Sequence, residues 1–292
     1  MDVMMPGVEW AANRKRMNLE KLEKNDVALI GIPSDANSSF QRGAADAPPS
    51  IRRAMHCGSS GLCSELGPDL AGNPRFVDVG DRQVDDDPQS FLAIESEIHD
   101  ILERDALPLV LGGDHAISYP VLRAIHGVHG AVNILHFDAH PDLYDDYEGN
   151  PFSHASPFAR ILENGLASRL VQVGIRTLNN HLRTQIERFG VEIHEMKTLD
   201  LDAIGRDFEG PVYISFDLDA LDPAFAPGVS HHEPGGLSVR DVLGIIQRLP
   251  NRIVGADIVE YNPQRDINDM TAMVAVKLLK EIAARMLLNS ER

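Results

Sequence analysis

Cysteine is scarce in this chain: Cys57 and Cys63 are the two in 292 residues, and no C-x-x-C pair exists. They read as free thiols in a reducing compartment rather than as a disulfide. Basic residues are also short, with 27 Lys and Arg against 44 Asp and Glu, giving a formal charge of −17 that leaves no clustered cationic face for nucleic acid. No run approaches the ~20 apolar residues of a membrane span. The first 24 residues lack an apolar signal core, carrying Arg14, Lys15, Arg16 and Lys21 instead. A cytoplasmic protein that partners neither nucleic acid nor membrane is therefore expected. There is no internal repeat and no low-complexity tract.

What is present is apolar material for a large core, 43% hydrophobic with 24% charged residues, and one domain over 1–292 is expected, with 1–24 as an N-terminal extension. Short aliphatic runs at 27–32, 107–111, 132–137, 170–173, 212–216 and 253–258 read as buried strands. Helical spacing follows Pro88 in Phe91, Leu92, Ile94, Ile98, Ile101 and Leu102, and returns in Met270, Met273, Val274, Leu278, Ile282 and Met286. A third helix is expected over 239–249, opened by Ser238 and stopped by Pro250. Alternating strands and helices predict an α/β fold with a parallel sheet covered on both faces.

The chemistry lies just after the strands, where open α/β sheets place their sites. Three segments stand out: Gly112-Gly113-Asp114-His115, the stretch Asp138 to Asp142 with His140 and Pro141, and Asp217-Leu218-Asp219. The paired glycines let backbone approach closely, so that His115 can turn out of the strand line. Asp138, His140 and Asp142 alternate along extended backbone and leave on one side. Carboxylates as close as Asp217 and Asp219 repel unless a cation lies between them. Two imidazoles and four carboxylates at neighbouring strand ends suit a two-metal site, and manganese accepts both ligand types. His136, His181 and His194, isolated in sequence, read as hydrogen-bonded structural residues rather than ligands.

These segments resemble the three signatures of the ureohydrolases, the arginase and agmatinase family: Leu111-Gly-Gly-Asp-His-Ala-Ile-Ser118, Phe137-Asp-Ala-His-Pro-Asp142 and Ser215-Phe-Asp-Leu-Asp-Ala-Leu-Asp-Pro223. Gly31-Ile-Pro-Ser-Asp35 with Gly43, Ile51-Arg52, Asp78 to Asp81, Gly174-Ile-Arg176 and Glu260-Tyr-Asn-Pro263 are similar to further landmarks in the same order. The resemblance implies a three-layer αβα sandwich with a parallel sheet of about eight strands, two Mn²⁺ ions, and hydrolysis of a guanidino group to urea and an amine by a metal-bridging hydroxide. It places His115 and Asp142 on one ion and His140 and Asp219 on the other, with Asp138 and Asp217 bridging. It makes Asp142 a proton carrier, Glu260 the grip on the guanidinium, and His154 a proton shuttle. Assembly as a trimer or hexamer is implied as well.

The segment Gly228-Val-Ser-His-His-Glu-Pro-Gly-Gly-Leu237, the run Val259 to Arg265, and the stretch around Asn150 and Ser153 resemble plant-type arginases, which favours L-arginine giving L-ornithine and urea. Asn150, Ser153, His154, Asn179, His231 and Glu260 are then expected around the substrate. Tyr144 stands where animal-type arginases have an Asn for the amino-acid carboxylate, and Asn179 where they have an Asp for the α-amino group. The acidic loop of Asp145, Asp146 and Glu148 is either a solvated turn or a partner for a cationic substrate end. An agmatinase or another guanidino-compound hydrolase is the alternative enzyme. A binding or regulatory protein that keeps the fold without turnover is the alternative outside catalysis.

Overall fold

A computed structural model describes residues 19–82, 84 and 90–289. The expected extension over 1–24 lies outside the described residues up to position 18, as does Pro88. Beyond position 18 the extension joins the core, because Leu19 and Leu22 are buried.

Eight strands form one parallel sheet: β1 (Val27–Gly31), β2 (Phe76–Asp81), β3 (Leu107–Leu111), β4 (Val132–Phe137), β5 (Ala167–Ile175), β6 (Glu192–Glu195), β7 (Val212–Asp217) and β8 (Ile253–Val259). Their order is β2-β1-β3-β8-β7-β4-β5-β6. Among the described residues, seven helices cover it: α1 (Ala47–Met55), α2 (Phe91–Leu102), α3 (Ser118–His129), α4 (Pro157–Glu163), α5 (Asn180–Phe189), α6 (Val239–Arg248) and α7 (Met270–Asn289).

Strand periodicity sorts the core into two layers. Leu109, Leu111, Leu135, Phe137, Ile214 and Phe216 point to one face, where Ile51 of α1, Leu243 of α6 and Ile282 of α7 meet them. Val110, Ile134 and Tyr213, one residue out of phase, pack on the other face against Ile98 of α2, Leu122 of α3, Phe158 of α4 and Leu182 of α5. The fold is a three-layer αβα sandwich. Burying a side chain such as these contributes about 1.5–3 kcal/mol each, and doing so on both faces is why the central strands read as continuous apolar runs.

The two edge strands went unread for the converse reason. Every residue of β6 is half-exposed, and β2 buries Val79 alone. Arg52 donates to Asp78 at 2.8 Å and also pairs with Asp81, tying α1 to β2. The third expected helix is α6, whose Ser238 hydroxyl accepts the Asp241 N–H at 3.1 Å while the Asp241 carboxylate accepts the Ser238 N–H at 3.0 Å.

Gly113 marks the closest backbone approach. A Cβ there would lie 1.7 Å from the Ser34 carbonyl oxygen. Its neighbours interlock the ends of three strands: Asp114 N–H donates to Ser34 O at 2.8 Å, and Glu260 N–H donates to Gly113 O at 2.9 Å. Gly113→Ala should therefore lower the unfolding free energy by about 1–3 kcal/mol or more, since the obstacle is backbone rather than a side chain that can swing away. Urea denaturation with an unchanged midpoint would contradict this contact.

Candidate metal centre

β3, β8, β7 and β4 are consecutive neighbours in the sheet, and because all run parallel their carboxyl ends open on one edge. His115 follows β3, Glu260 follows β8, Asp217 ends β7 with Asp219 beyond it, and Asp138, His140 and Asp142 follow β4. Local hydrogen bonds aim these side chains. Asp217 accepts the Asp219 N–H at 2.7 Å, Asp219 accepts the Ala139 N–H at 3.0 Å, and Asp138 Oδ1 accepts the His140 N–H at 2.6 Å. Asp142 (φ 50°) and Glu260 (φ 63°) occupy the left-handed region, uncommon for residues with a Cβ.

His115 is fully buried, and its Nδ1 has three carboxylate oxygens around it: Asp142 at 3.1 Å, Asp138 at 3.2 Å and Asp217 at 3.3 Å. Nδ1 nevertheless makes no hydrogen bond among the described residues. Ligand atoms ~2.1 Å from one ion at right angles lie about 3 Å apart, so this ring of four atoms has the spacing of a coordination shell. Nearby, His140 Nδ1 lies 3.0 Å from Asp219 and 3.3 Å from Asp138. Two groups of metal-competent atoms thus share Asp138: one with His115 and His136, the other with His140 and Asp219. The donor set fits divalent cations.

The electrostatics point the same way. Burial and the neighbouring Asp219 and Asp138 push the Asp217 carboxyl well above its ordinary value. Burial works against a charged His115, but Asp138, Asp142 and Asp217 outweigh it and raise the imidazole well above its usual range. Both shifts follow from buried negative charge concentrated around these groups, charge of the sign that a bound cation would offset.

Behind His115, its Nε2 lies 2.9 Å from Ser215 Oγ, which donates to Asp257 Oδ1 at 2.8 Å. Tyr213 and Ser118 hydroxyls also donate to Asp257, each at 2.7 Å. A hydrogen on Nε2 leaves the Nδ1 lone pair for the cluster. Sequence reading missed Ser215 and Asp257; a carboxylate inside the aliphatic run of β8 was the available signal, since fully buried acids need partners.

A cavity of about 330 Å³ opens over the cluster, lined by His140, Asp142, Tyr144, His154, Asn179, His231 and Glu260 among others. Glu260 Oε1 accepts the His115 backbone N–H at 2.9 Å and lies 2.9 Å from His154 Nδ1. Burial opposes a charged His154, yet Glu260 prevails and lifts it to about 9. Next to this pair, Asp114 is pushed up to about 7 by burial and by the Glu260 charge.

Asn150 and Ser153, expected around the substrate, do not line this cavity. Asn150 donates to Asn37 Oδ1 at 2.9 Å and Ser153 accepts the Ala155 N–H at 3.3 Å, so they shape the loop that carries His154. Asn179 does line it, but its Oδ1 caps α5 by accepting Leu182 N–H and its Nδ2 donates to Tyr144 OH at 2.7 Å. Of the acidic loop, Asp145 turns away to Arg188 and Gln185, and Asp146 accepts Gly149 N–H. His231 sits within the wall, its ring 5.3 Å from that of His154 and 5.9 Å from that of His140.

A doubly covered parallel sheet with imidazole and carboxylate donors at its central strand ends defines a three-layer αβα protein carrying a candidate metal centre. Comparison with known proteins is more specific. The Arginase family model matches residues 25–284. The chain is 52% identical to "Arginase 1, mitochondrial" of Arabidopsis thaliana over 279 residues, 90% of this chain and 81% of that protein. It is 51% identical to "Arginase, mitochondrial" of Medicago truncatula over 276 residues, 89% of this chain and 81% of that protein. The solved structure of "Arginase from Medicago truncatula" superposes with a TM-score of 0.86 at 47% identity, covering 95% of this chain and 93% of that one. The chain belongs to the arginase family and is a hydrolase acting on guanidino carbon–nitrogen bonds.

The cytoplasmic expectation is overturned by the same relatives, which are named mitochondrial. Free thiols and the lack of an apolar span are features that organelle matrix proteins share with cytosolic ones, so composition does not separate the two. No helix among the described residues is long and apolar enough to cross a membrane.

Chelating divalent metal should lower the unfolding midpoint and adding a divalent cation back should raise it, because a ligand held by the folded state alone stabilises it by about 2.7 kcal/mol at a hundredfold excess over Kd. Calorimetry giving equal midpoints with and without metal would count against a cation among His115 and its three carboxylates.

Proposed function

We propose that this protein hydrolyses L-arginine to L-ornithine and urea with two Mn²⁺ ions. The observation that carries the metal half is the buried His115 Nδ1, enclosed by three carboxylates and hydrogen-bonded to none. His115 and Asp142 would hold one ion, His140 and Asp219 the other, and Asp138 and Asp217 both. The four carboxylates match the charge of two dications when both imidazoles are neutral. Bound there, the ions supply a water of lowered pKa as the nucleophile that the delocalised guanidinium carbon requires.

The side chains do the rest. Glu260 has Oε1 committed to His115 and His154, and among the described residues Oε2 accepts no hydrogen bond, leaving a carboxylate edge for a planar cation in the cavity. Hydrolysis places both hydrogens of the water on the departing nitrogen, so two proton deliveries are needed. Asp142 and His154, which both line the cavity, are the two carriers.

Arginine is favoured over agmatine by similarity to plant proteins named arginase, and by the cavity wall. With the Asn179 amide donating to it, the Tyr144 hydroxyl keeps its own hydrogen to give, which suits a carboxylate rather than an ammonium group. The competing reading, agmatine or another guanidino compound, draws on Tyr144 and Asn179 replacing the residues of animal-type enzymes. Manganese-loaded protein should release urea from arginine in preference to agmatine, guanidinobutyrate or guanidine. Turnover of one of those with none on arginine would refute the arginase assignment, and no urea from any would favour a non-catalytic role.

The His154 shift also has a sign. Its folded value is raised to about 9, so the ring holds its proton through neutral pH and loses it as pH rises through that value. The kcat profile should fall on the alkaline side near pH 9. His154→Asn should lose that limb along with roughly 10²–10⁴ of the rate. A limb that persists unchanged in the variant would assign it to another group.

A further inference from the structure

His136 lies in β4 two residues before Asp138, fully buried, and strand alternation sends both to the same face. Its Nε2 is 2.9 Å from Asp138 Oδ2. Its Nδ1 is 2.9 Å from Gln172 Nε2 on the neighbouring strand, where the register sets the two residues opposite each other. The Gln172 nitrogen also lies 2.7 Å from the Pro141 carbonyl oxygen. A carbonyl can only accept, so the Gln172 atom facing it must be the amide nitrogen, and the orientation of that side chain follows. One amide hydrogen goes to Pro141 and the other to His136 Nδ1. His136 Nδ1 is therefore an acceptor, and Nε2 carries the ring hydrogen that is donated to Asp138.

The Asp138 carboxylate is thereby held from both sides. Oδ2 takes the His136 N–H, Oδ1 takes the His140 backbone N–H at 2.6 Å, and each oxygen keeps a lone pair toward a different imidazole, His115 at 3.2 Å and His140 at 3.3 Å. Phe158 stacks on the His136 ring at 4.0 Å between centroids and fixes its plane. The relay begins at Pro141, which sits between His140 and Asp142, so it joins two strands to the loop bearing the other candidate ligands.

We infer that His136 is a positioning residue: oriented by Gln172 and Pro141, it holds the Asp138 carboxylate where both metal ions can share it, and is not itself a ligand although it borders the cluster. This rests on the two-ion reading above. The test is manganese binding to metal-free protein, followed by the EPR signal of free aqueous Mn²⁺. His136→Phe keeps a ring against Phe158 and removes the donor; His136→Gln restores an N–H near the same place.

The unsubstituted protein should bind two ions. His136→Phe should still bind two, with affinity weakened about 10–100-fold, the usual cost of losing a partner that orients a ligand, and His136→Gln should recover most of it. Unchanged affinity in His136→Phe overturns the inference. So does a fall from two ions to one that His136→Gln does not restore, which would make His136 a ligand. Should His136→Phe fail to fold, Gln172→Leu gives the same reading, with a smaller loss of affinity expected and no loss overturning it. Failure of the unsubstituted protein to bind manganese would instead sink the proposed function.

Discussion

Repulsion among Asp138, Asp142, Asp217 and Asp219 is the constraint that organises the carboxyl end of this sheet. Like charges about 4 Å apart oppose each other by about 4 kcal/mol at an effective dielectric of 20, and these four carboxylates are all largely or fully buried. Without a cation the protein can relieve this only by borrowing protons, and the raised values of Asp217 and His115 show that tendency. Two dications would remove the need for both protons and leave His115 and His140 neutral, the state in which imidazole binds metal. Ser215, Asp257 and the backbone N–H groups of Ala139, His140 and Asp219 already hold the donors in place.

Holding that arrangement takes strain as well as hydrogen bonds. Asp142 and Glu260 both sit at positive φ, a cost of about 1–3 kcal/mol for each such residue. Their backbones are pinned on either side: Asp142 O accepts the Phe158 N–H at 3.2 Å, and Glu260 N–H donates to Gly113 O at 2.9 Å. Arg176 adds a second restraint, its guanidinium donating to the carbonyls of Asp219 at 2.7 Å and Glu233 at 2.6 Å, which fastens the loop after β7 to the segment carrying His231. Several family landmarks are thus scaffolding. Arg52, Asp78 and Asp81 form an ion-pair cluster behind Gly31, where a Cβ would collide with Asp81 at 1.8 Å.

What the sequence revealed follows from how local each feature is. Strands β3 and β4 match the runs read from the sequence residue for residue, because burial on both faces keeps them mostly apolar, with Asn133 and His136 of β4 buried among hydrogen-bond partners. β2 and β6 escaped because edge strands keep solvent on one side and carry Asp, Glu and His. The six metal-ligand candidates were legible since they fall within a few residues of strand ends, one after β3, three after β4 and two at the end of β7, and the structure brings all six together. His136 was legible as a hydrogen-bonded structural residue, but Gln172, Ser215 and Asp257 were not, for they lie inside strands and their partners are distant in the chain. The cavity wall was read least well: Asn150 and Ser153 turn out to serve their own loop, and Asp145 to pair with α5.

That unevenness reflects a division of labour in the fold. The reacting end of the cavity is set by four adjacent strands whose spacing and direction are fixed by the ladder, so few positions can change without loss of the cluster. The cavity is also lined by Tyr144, His154, Asn179 and His231, all on connections beyond strand ends, where substitution moves a donor or acceptor without disturbing the core. One scaffold can therefore keep guanidino hydrolysis constant while the loops decide which molecule presents the guanidino group. In this chain one contact of that wall is a single hydrogen bond. Asn179 Nδ2 donates to the Tyr144 hydroxyl at 2.7 Å, so substitution at either position changes which hydrogen-bonding groups line the cavity.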